Sequence, residues 1–515
     1  MKKIPFILIA VVAIASCSKE LDQKPISTPT NETFYKQPSD FLQAVNATYN
    51  SLRGYPDRLL ALSEVRSDNI YPSNDVARDP DPINNFAQGI AANTFVEEAW
   101  SADFNGIFKA NTVLDQIAKN GSYINSPPFA TRLTAEARFL RAFFYFDLVR
   151  YYGKLPVVEH PVLTIDADTI HRSSVTDVYK LIISDLQFAI ANLPANYSGA
   201  FPAYAITDVG RATKYAAEAT LALVYMTRSG PTYGIEGPGL GLNEWGLAVP
   251  LLTDIIASGA FVFNPSYANI FAYSNQSPAY TAASNREAIF DVMYLTGQNP
   301  VLGATFTWQL APNTYFSSLP AGNTPANGAL GFPAVSNSLL TAYSATDTRK
   351  SPTIHTSAFT YPGGSDAHAF FRKYLDTTKI PSSRFDWGIN YIAIRFTDVL
   401  LLKAECVLHG APGSQATDVD AVVNQVRARA AQLPIAGVTL AQLLDERRRE
   451  FADEGLRWFD LQRSGNLITL MNAWIAVDDA ALHKVNPVVA NYIIYPVPQT
   501  QLDAKPGLYD QNPGY

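Results

Sequence analysis

Glu446, Glu450 and Glu454 stand at four-residue intervals in the stretch 443–465, LLDERRREFADEGLRWFDLQRSG. On a helix that spacing stacks them on one face. Paired carboxylates could do general acid–base chemistry on a glycosidic bond, provided one carboxyl is raised in pKa to act as the acid. The same stretch carries Arg447, Arg448 and Arg457. Cations this close hold the acids ionised, the wrong state for a general acid. Leu444, Arg448, Phe451, Gly455 and Trp458 recur at helical spacing, and Asp453–Arg457 and Arg457–Asp460 are spaced to pair locally. The stretch therefore reads as a structural clasp, expected to pack on the run 391–408 or a neighbour.

Other chemistries find less support. No G-x-S-x-G nucleophile elbow occurs. The six histidines, at 160, 171, 355, 368, 409 and 483, are scattered, with no H-x-x-x-H pair. Asp75, Asp79, Asp81 and Asn84 crowd one loop and could offer oxygens to Ca²⁺, but the glycine and terminal glutamate of an EF-hand loop are missing. No catalytic residue, metal ligand or cofactor is assigned. A net charge of −7 with no basic stripe argues against nucleic acid. With 27 Tyr, 28 Phe and 6 Trp the chain holds more ring surface than core packing requires, so some rings are expected to face a ligand.

The elements that must position these residues are mainly helical. Lys2 and Lys3, the apolar run 4–15 and Cys17 form a secretory signal too short to span a membrane. Ile14-Ala15-Ser16-Cys17 resembles a bacterial lipobox, which makes Cys17 the lipidated first residue and residues 1–17 the signal peptide. The following Ser-Lys-Glu-Leu-Asp resembles the surface-export signal of Bacteroidetes lipoproteins. Residues 18–38 read as a tether and arm. Helices are expected over 40–52, 100–117, 131–152, 174–193, 211–228, 247–258, 391–408 and 416–430, with 53–98 and 261–390 rich in loops. Residues 131–152 carry the clearest stripe: Leu133, Ala137, Leu140, Phe144, Leu148 and Tyr151. Cys406, within an apolar run, reads as a buried small hydrophobe. Helices in pairs of about 35–40 residues suggest a degenerate tetratricopeptide-like repeat.

Several segments now carry a resemblance. ERRREFADEGLRWFDLQRSG resembles the C-terminal signature of the RagB/SusD family of surface nutrient-binding lipoproteins. AEARFLRAFFYFDLVRYYGKLPVV (135–158), GRATKYAAEATLALVYM (210–226), IRFTDVLLLKAECVLHG (394–410), VNQVRARA (423–430) and the tail IIYPVPQTQLDAKPGLYDQNPGY resemble further family segments in the same order. Asp398 and Gln501 stand where the family has Glu. The resemblance implies a SusD-like fold: one domain over 39–515, scaffold helices at about 100–260 and 391–475, and a loop-rich ligand-binding insertion at about 261–390. It also implies a lipid-anchored outer-membrane protein that captures an oligosaccharide and passes it to a SusC-like TonB-dependent transporter. A peptide ligand, as in RagB-like proteins, is the alternative. A glycoside hydrolase is disfavoured by the arginines beside Glu446, Glu450 and Glu454.

A sugar presents apolar C–H faces for flat aromatics and hydroxyls for amides, carboxylates and guanidinium groups. The candidates are therefore rings in irregular segments with polar neighbours. Trp308, Tyr315 and Trp387 lead, joined by Asn313, Phe316, Arg384 and Asn390 in the insertion and by Asn69, Tyr71 and Asn85 in the earlier loop. Trp100, Trp245, Trp458 and Trp474 border or lie within helices and are expected in the core.

Overall fold

The structure, a computed structural model, describes residues 34–72, 80–162, 164–197, 208, 210–275, 287–309, 311–320, 334–412 and 416–515. The lipobox with Cys17 and the carboxylates of Asp75 and Asp79 lie outside the described residues.

Helix α1 (Pro38–Tyr49) leads through a 3₁₀ turn (Asn50–Gly54) into α2 (Tyr55–Leu59), and a π turn carries the chain to Glu64. This corrects the expectation of a loop-rich 53–98. Pro56 sits in the first turn of α2, where no backbone donor is needed, so it starts a helix instead of breaking one. The long helices α3 (Thr94–Asn120), α4 (Pro127–Tyr152), α5 (Val175–Asn192), α6 (Lys214–Ser229) and α7 (Trp245–Ala257) follow, each packed on the next. Asn93 caps α3 by accepting from Phe95 N, and Ser174 caps α5 by accepting from Asp177 N. α4 ends at Gly153, whose φ of 69° favours glycine.

The stripe expected on α4 is buried, with Leu133, Ala137, Leu140, Phe144, Leu148 and Tyr151 all inaccessible. α3 can lie close against it because of Gly106, where a Cβ would fall 2.4 Å from the Phe144 ring. α4 is buried on its polar side too. There Arg132–Glu136 (2.7 Å), Arg141–Asp185 (2.7 Å) and Arg150–Asp147 (3.0 Å) satisfy its charges. Trp100, Trp245, Trp458, Trp474 and Cys406 are buried, as their sequence settings suggest.

Beyond α7 the chain forms short strands in antiparallel pairs, one of them completed by a strand that precedes α3. β1 (Ile70–Tyr71) pairs with β3 (Ala334–Val335), and β2 (Ala288–Val292) with β8 (Tyr391–Arg395). β4 (Ile354–His355) pairs with β7 (Phe370–Phe371), and β5 (Phe359–Tyr361) with β6 (Gly364–Asp366). Between them lie the one-turn α8 (Phe306–Gln309) and α9 (Asn313–Ser318). The helix expected over 391–408 is divided. Tyr-Ile-Ala-Ile-Arg, rich in strand-forming side chains, pairs as β8 before α10 (Phe396–Leu408) begins.

α11 (Ala416–Arg429), α12 (Leu440–Phe451), α13 (Arg457–Ser464) and α14 (Leu467–Asp478) complete the scaffold. α12 and α13 form the clasp, and α10 packs against α12 as expected. Glu446–Arg449 and Asp460–Arg463 do pair locally, but the local partners expected for Arg457 are corrected. Arg457 forks onto Asp68 at 2.8 and 2.9 Å, while Asp460 binds Arg447 (2.9 Å) and Arg463 (2.8 Å). The three glutamates are fully committed to cations. Glu446 meets Arg349 (2.7 Å) and Arg449 (2.6 Å), and Glu450 meets Arg429 (2.6 Å), Arg395 (3.0 Å) and Arg349 (3.1 Å). Glu454 meets Arg395 and Lys373, both at 2.8 Å. Burial pushes Glu450 up, but Arg429, Arg395 and Arg349 outweigh it and hold the carboxyl at about 2.

Candidate functional site

The loops around residues 296–309 and 383–390 lock together through short contacts. Ala304 and Trp387 exchange backbone hydrogen bonds at 2.8 and 3.1 Å. Gly303 permits this approach, since a Cβ there would lie 2.2 Å from the Asp386 Cα. Asp386 accepts from Gly297 N (2.8 Å) and Thr296 Oγ1 (3.1 Å), tying the two loops again. Arg53 then joins this unit to the helical scaffold by donating to Val301 O (3.1 Å) and Gly303 O (3.2 Å). Asp57 of α2 adds a second tie, accepting from Thr305 Oγ1 at 2.7 Å and from Gln309 Nε2.

A groove of 730 Å³ opens along this seam, between α2, the outer face of α3, α8 and Phe385. Its size falls within the usual range for small-ligand sites. Phe385 is 45% exposed; the Arg384 guanidinium lies 4.6 Å from its ring centroid, and the rest of the ring is open to the groove. Trp308 sits behind it, 8% exposed, with Phe385 edge-on at 6.1 Å and the Arg384 guanidinium 4.9 Å from its ring centroid. Trp308 thus forms part of the groove wall while its face is covered, which corrects the expectation of an open stacking ring. The indole N–H of Trp308 and Oε1 of Gln309, both buried in that wall, have no hydrogen-bond partner among the described residues. Burial raises Asp57 to about 7, against the pull of Thr305 and Arg58. The groove therefore combines one exposed ring with amide, hydroxyl and carboxyl groups.

The other sequence candidates divide into three sets. Trp387, Phe316, Asn390 and Asn69 are buried, and their assignment as ligand contacts is corrected. Trp387 is inaccessible, packs on Phe316 at 6.1 Å and donates Nε1–H to Arg384 O at 3.0 Å. Asn390 donates to Asp291 Oδ2 (2.9 Å) and accepts from Tyr294 N (3.1 Å). Asn69 donates to Glu64 Oε1 and accepts from Arg448 Nε, both at 2.8 Å. The physical reason is common to all four: the irregular segments build a core of their own. Tyr315 and Asn313 form the second set, away from Trp308's wall. Tyr315 joins His355 (4.9 Å), Phe359 (5.3 Å) and Phe370 (4.8 Å) in a half-buried aromatic cluster, and Asn313 is exposed at the start of α9. The third set lies elsewhere again. Tyr71 donates to Asp479 at 2.5 Å and meets Trp474, while Asn85 O accepts from Asn486 N at 3.0 Å.

Phe385, Gln309 and Asp57 were not singled out by sequence. Phe385 lies between two residues that were, Arg384 and Trp387, and only the turn of the loop decides which ring faces out. As for metal, Asn84 spends its amide on Val65 O and Ile70 O, and among the described residues no three metal-ligating side chains cluster.

Comparison with known proteins places this geometry in context. Residues 357–515 match the family model described as the SusD family, and residues 21–226 match one described as "Starch-binding associating with outer membrane". SusD-like protein P38 of Formosa agariphila is 25% identical over 99% of this chain and 98% of its own. A SusD-like protein of Bacteroides ovatus is 26% identical over 89% of this chain and 82% of its own. Among solved structures, surface glycan-binding protein A from Bacteroides fluxus superposes with a TM-score of 0.76 at 24% identity, covering 93% of this chain and 99% of its own. Surface glycan-binding protein A from Bacteroides thetaiotaomicron, in complex with laminarihexaose, superposes with a TM-score of 0.74 at 21% identity over 93% of this chain and all of its own. The fold is thus the mainly α, SusD-like one; two family models match separate parts of the chain, and it is similar to SusD-like relatives along nearly all of its length.

Proposed function

We propose that this protein binds a neutral glycan in the groove between α2 and Phe385, without cleaving it, and delivers it to a SusC-like transporter at the outer-membrane surface. The observation that carries the reading is the exposed Phe385 ring in a groove that also holds the half-buried Phe95 and the polar side chains of Ser101, Asn105, Lys109 and Gln309, a mixture that suits the C–H face and hydroxyls of a sugar. The solved neighbour bound to laminarihexaose and another described as a laminarin binding SusD-like protein support a glycan ligand. The family description of association with the outer membrane supports the location. We read residues 39–515 as one domain, tethered by a lipid on Cys17. Binding without cleavage is supported by Asp57, whose two carboxyl oxygens already accept from Thr305 and Gln309; Glu98 is the other carboxyl group in the groove, so an assay for released reducing ends tests the pair.

The test is calorimetric titration of the protein lacking residues 1–17 with laminarihexaose and with malto-oligosaccharides. Phe385→Ala should weaken binding by roughly 1 kcal/mol or more, the usual worth of an aromatic contact. Unchanged affinity in that variant would overturn the site. Absence of binding to any glycan, or release of reducing ends, would overturn the function.

A further inference from the structure

A second groove, of 550 Å³, lies on the other side of the 3₁₀ turn Asn50–Gly54. In a 3₁₀ helix, residues three apart eclipse one another. Ser51 and Gly54 accordingly line the groove beside Phe385, while Asn50 and Arg53 line the second one. The two grooves also share a second wall. Leu295 and Leu302 border one of them, and Thr305 and Trp308, a few residues on in the same loop, border the other. The ridge between them is the Arg53 guanidinium on Val301 O and Gly303 O.

The chemistry of the second groove resembles that of the first. Asn46 and Asn50, four apart at the end of α1, are exposed amides on one helix face. Leu295 is 47% exposed, and Met293 beside it is half-buried, which provides an apolar surface. The charged groups are engaged with protein. Arg211 donates to Asp208 (2.7 Å), Glu136 (2.9 Å) and Asn46 Oδ1 (2.5 Å), and Asp291 accepts from Asn390 (2.9 Å). Amides and apolar carbon with committed charges favour a ligand that is neutral and hydroxylated over one that is anionic.

We propose that the second groove is a further subsite for the same neutral glycan, so that one chain of several sugar units lies across the Asn50–Gly54 ridge and occupies both grooves. This rests on the glycan reading of the first groove. It makes the ligand a chain long enough to cross a ridge about the width of a helix, roughly 10 Å. Joining two weak sites on one ligand raises affinity well beyond either alone.

The experiment compares laminari- and malto-oligosaccharides, from the disaccharide to the polymer, on the full mature chain. Affinity of the wild type should step up by at least about tenfold once the chain is long enough to reach both grooves. Asn50→Ala/Leu295→Ala, two exposed positions, should remove that step and leave the affinity for the shortest bound oligosaccharide unchanged. Phe385→Ala should weaken short and long ligands alike. A smooth, length-independent affinity in the wild type would overturn the second subsite while leaving the first groove standing, as would a double variant that keeps the step. If no oligosaccharide or polymer binds at all, the glycan reading itself fails, and the second subsite with it.

Discussion

Replacing Glu450 by glutamine tests whether the clasp is held by charge. The side chain is inaccessible and its carboxylate lies against three guanidinium groups, those of Arg429, Arg395 and Arg349. Holding it at about 2 instead of its ordinary 4.5 corresponds to ~3 kcal/mol of favourable interaction. Removing one partner from a buried ion pair costs about 3–5 kcal/mol by a separate route, because the cations stay buried and under-compensated. The two figures agree, so Glu450→Gln should destabilise the protein by about 3 kcal/mol, read as a lowered urea midpoint with unchanged slope. The sign in pH follows from the depressed pKa. The contribution is complete above about 4.5 and is lost as pH falls toward about 2, so the variant should lose less stability than the wild type over that window. A loss below about 1 kcal/mol, or parallel acid profiles, would show that Glu446 and Glu454, with Glu287, which meets Arg429 (2.6 Å) and Arg395 (3.3 Å), neutralise the cluster without it.

Three further outcomes are expected. Trp458→Ala should cost about 3–5 kcal/mol, since the ring is inaccessible and packs against both Phe86 and the Arg66 guanidinium, and glycan affinity of the folded fraction should stay at the wild-type value in titration. Asp57 keeps its proton longer in the folded state than in the unfolded one, so it lowers stability as pH rises from about 4 to about 7; Asp57→Asn should flatten that part of a melting-temperature profile, and superimposable profiles would contradict the raised pKa. Cys17→Ala should release the protein from the membrane fraction on cell fractionation, and a variant that stays anchored would refute lipidation there.

What the sequence disclosed depended on how local the signal was. α4 was legible because its stripe repeats every three or four residues, and all six stripe residues are buried. The clasp was legible as structure because Arg447 and Arg448 sit beside Glu446 and Glu450 in the chain. Its partners were not: Arg457 chooses Asp68, 389 residues away, over the acids three and four positions from it. The insertion was the least legible part. Trp308 and Trp387 both stand in irregular, polar surroundings, yet one lines a groove and the other is sealed beneath it. The difference comes from the Ala304–Trp387 bridge, a contact between loops more than eighty residues apart for which a single sequence holds no periodic signal.

The Asp68–Arg457 fork has a consequence for how the chain acquires its structure. It is one of several bonds joining the same two distant segments, with Glu64 accepting from Asp453 N and Gly455 N, both at 3.0 Å, and Ser63 donating to Gly455 O at 2.5 Å. Contacts at such separation form slowly, because loop closure must precede any gain from them. Asp68 therefore cannot be buried with its counter-ions until Arg448 and Arg457 have been synthesised. A chain still emerging from the ribosome cannot close its native core, and this favours keeping it unfolded until it is complete.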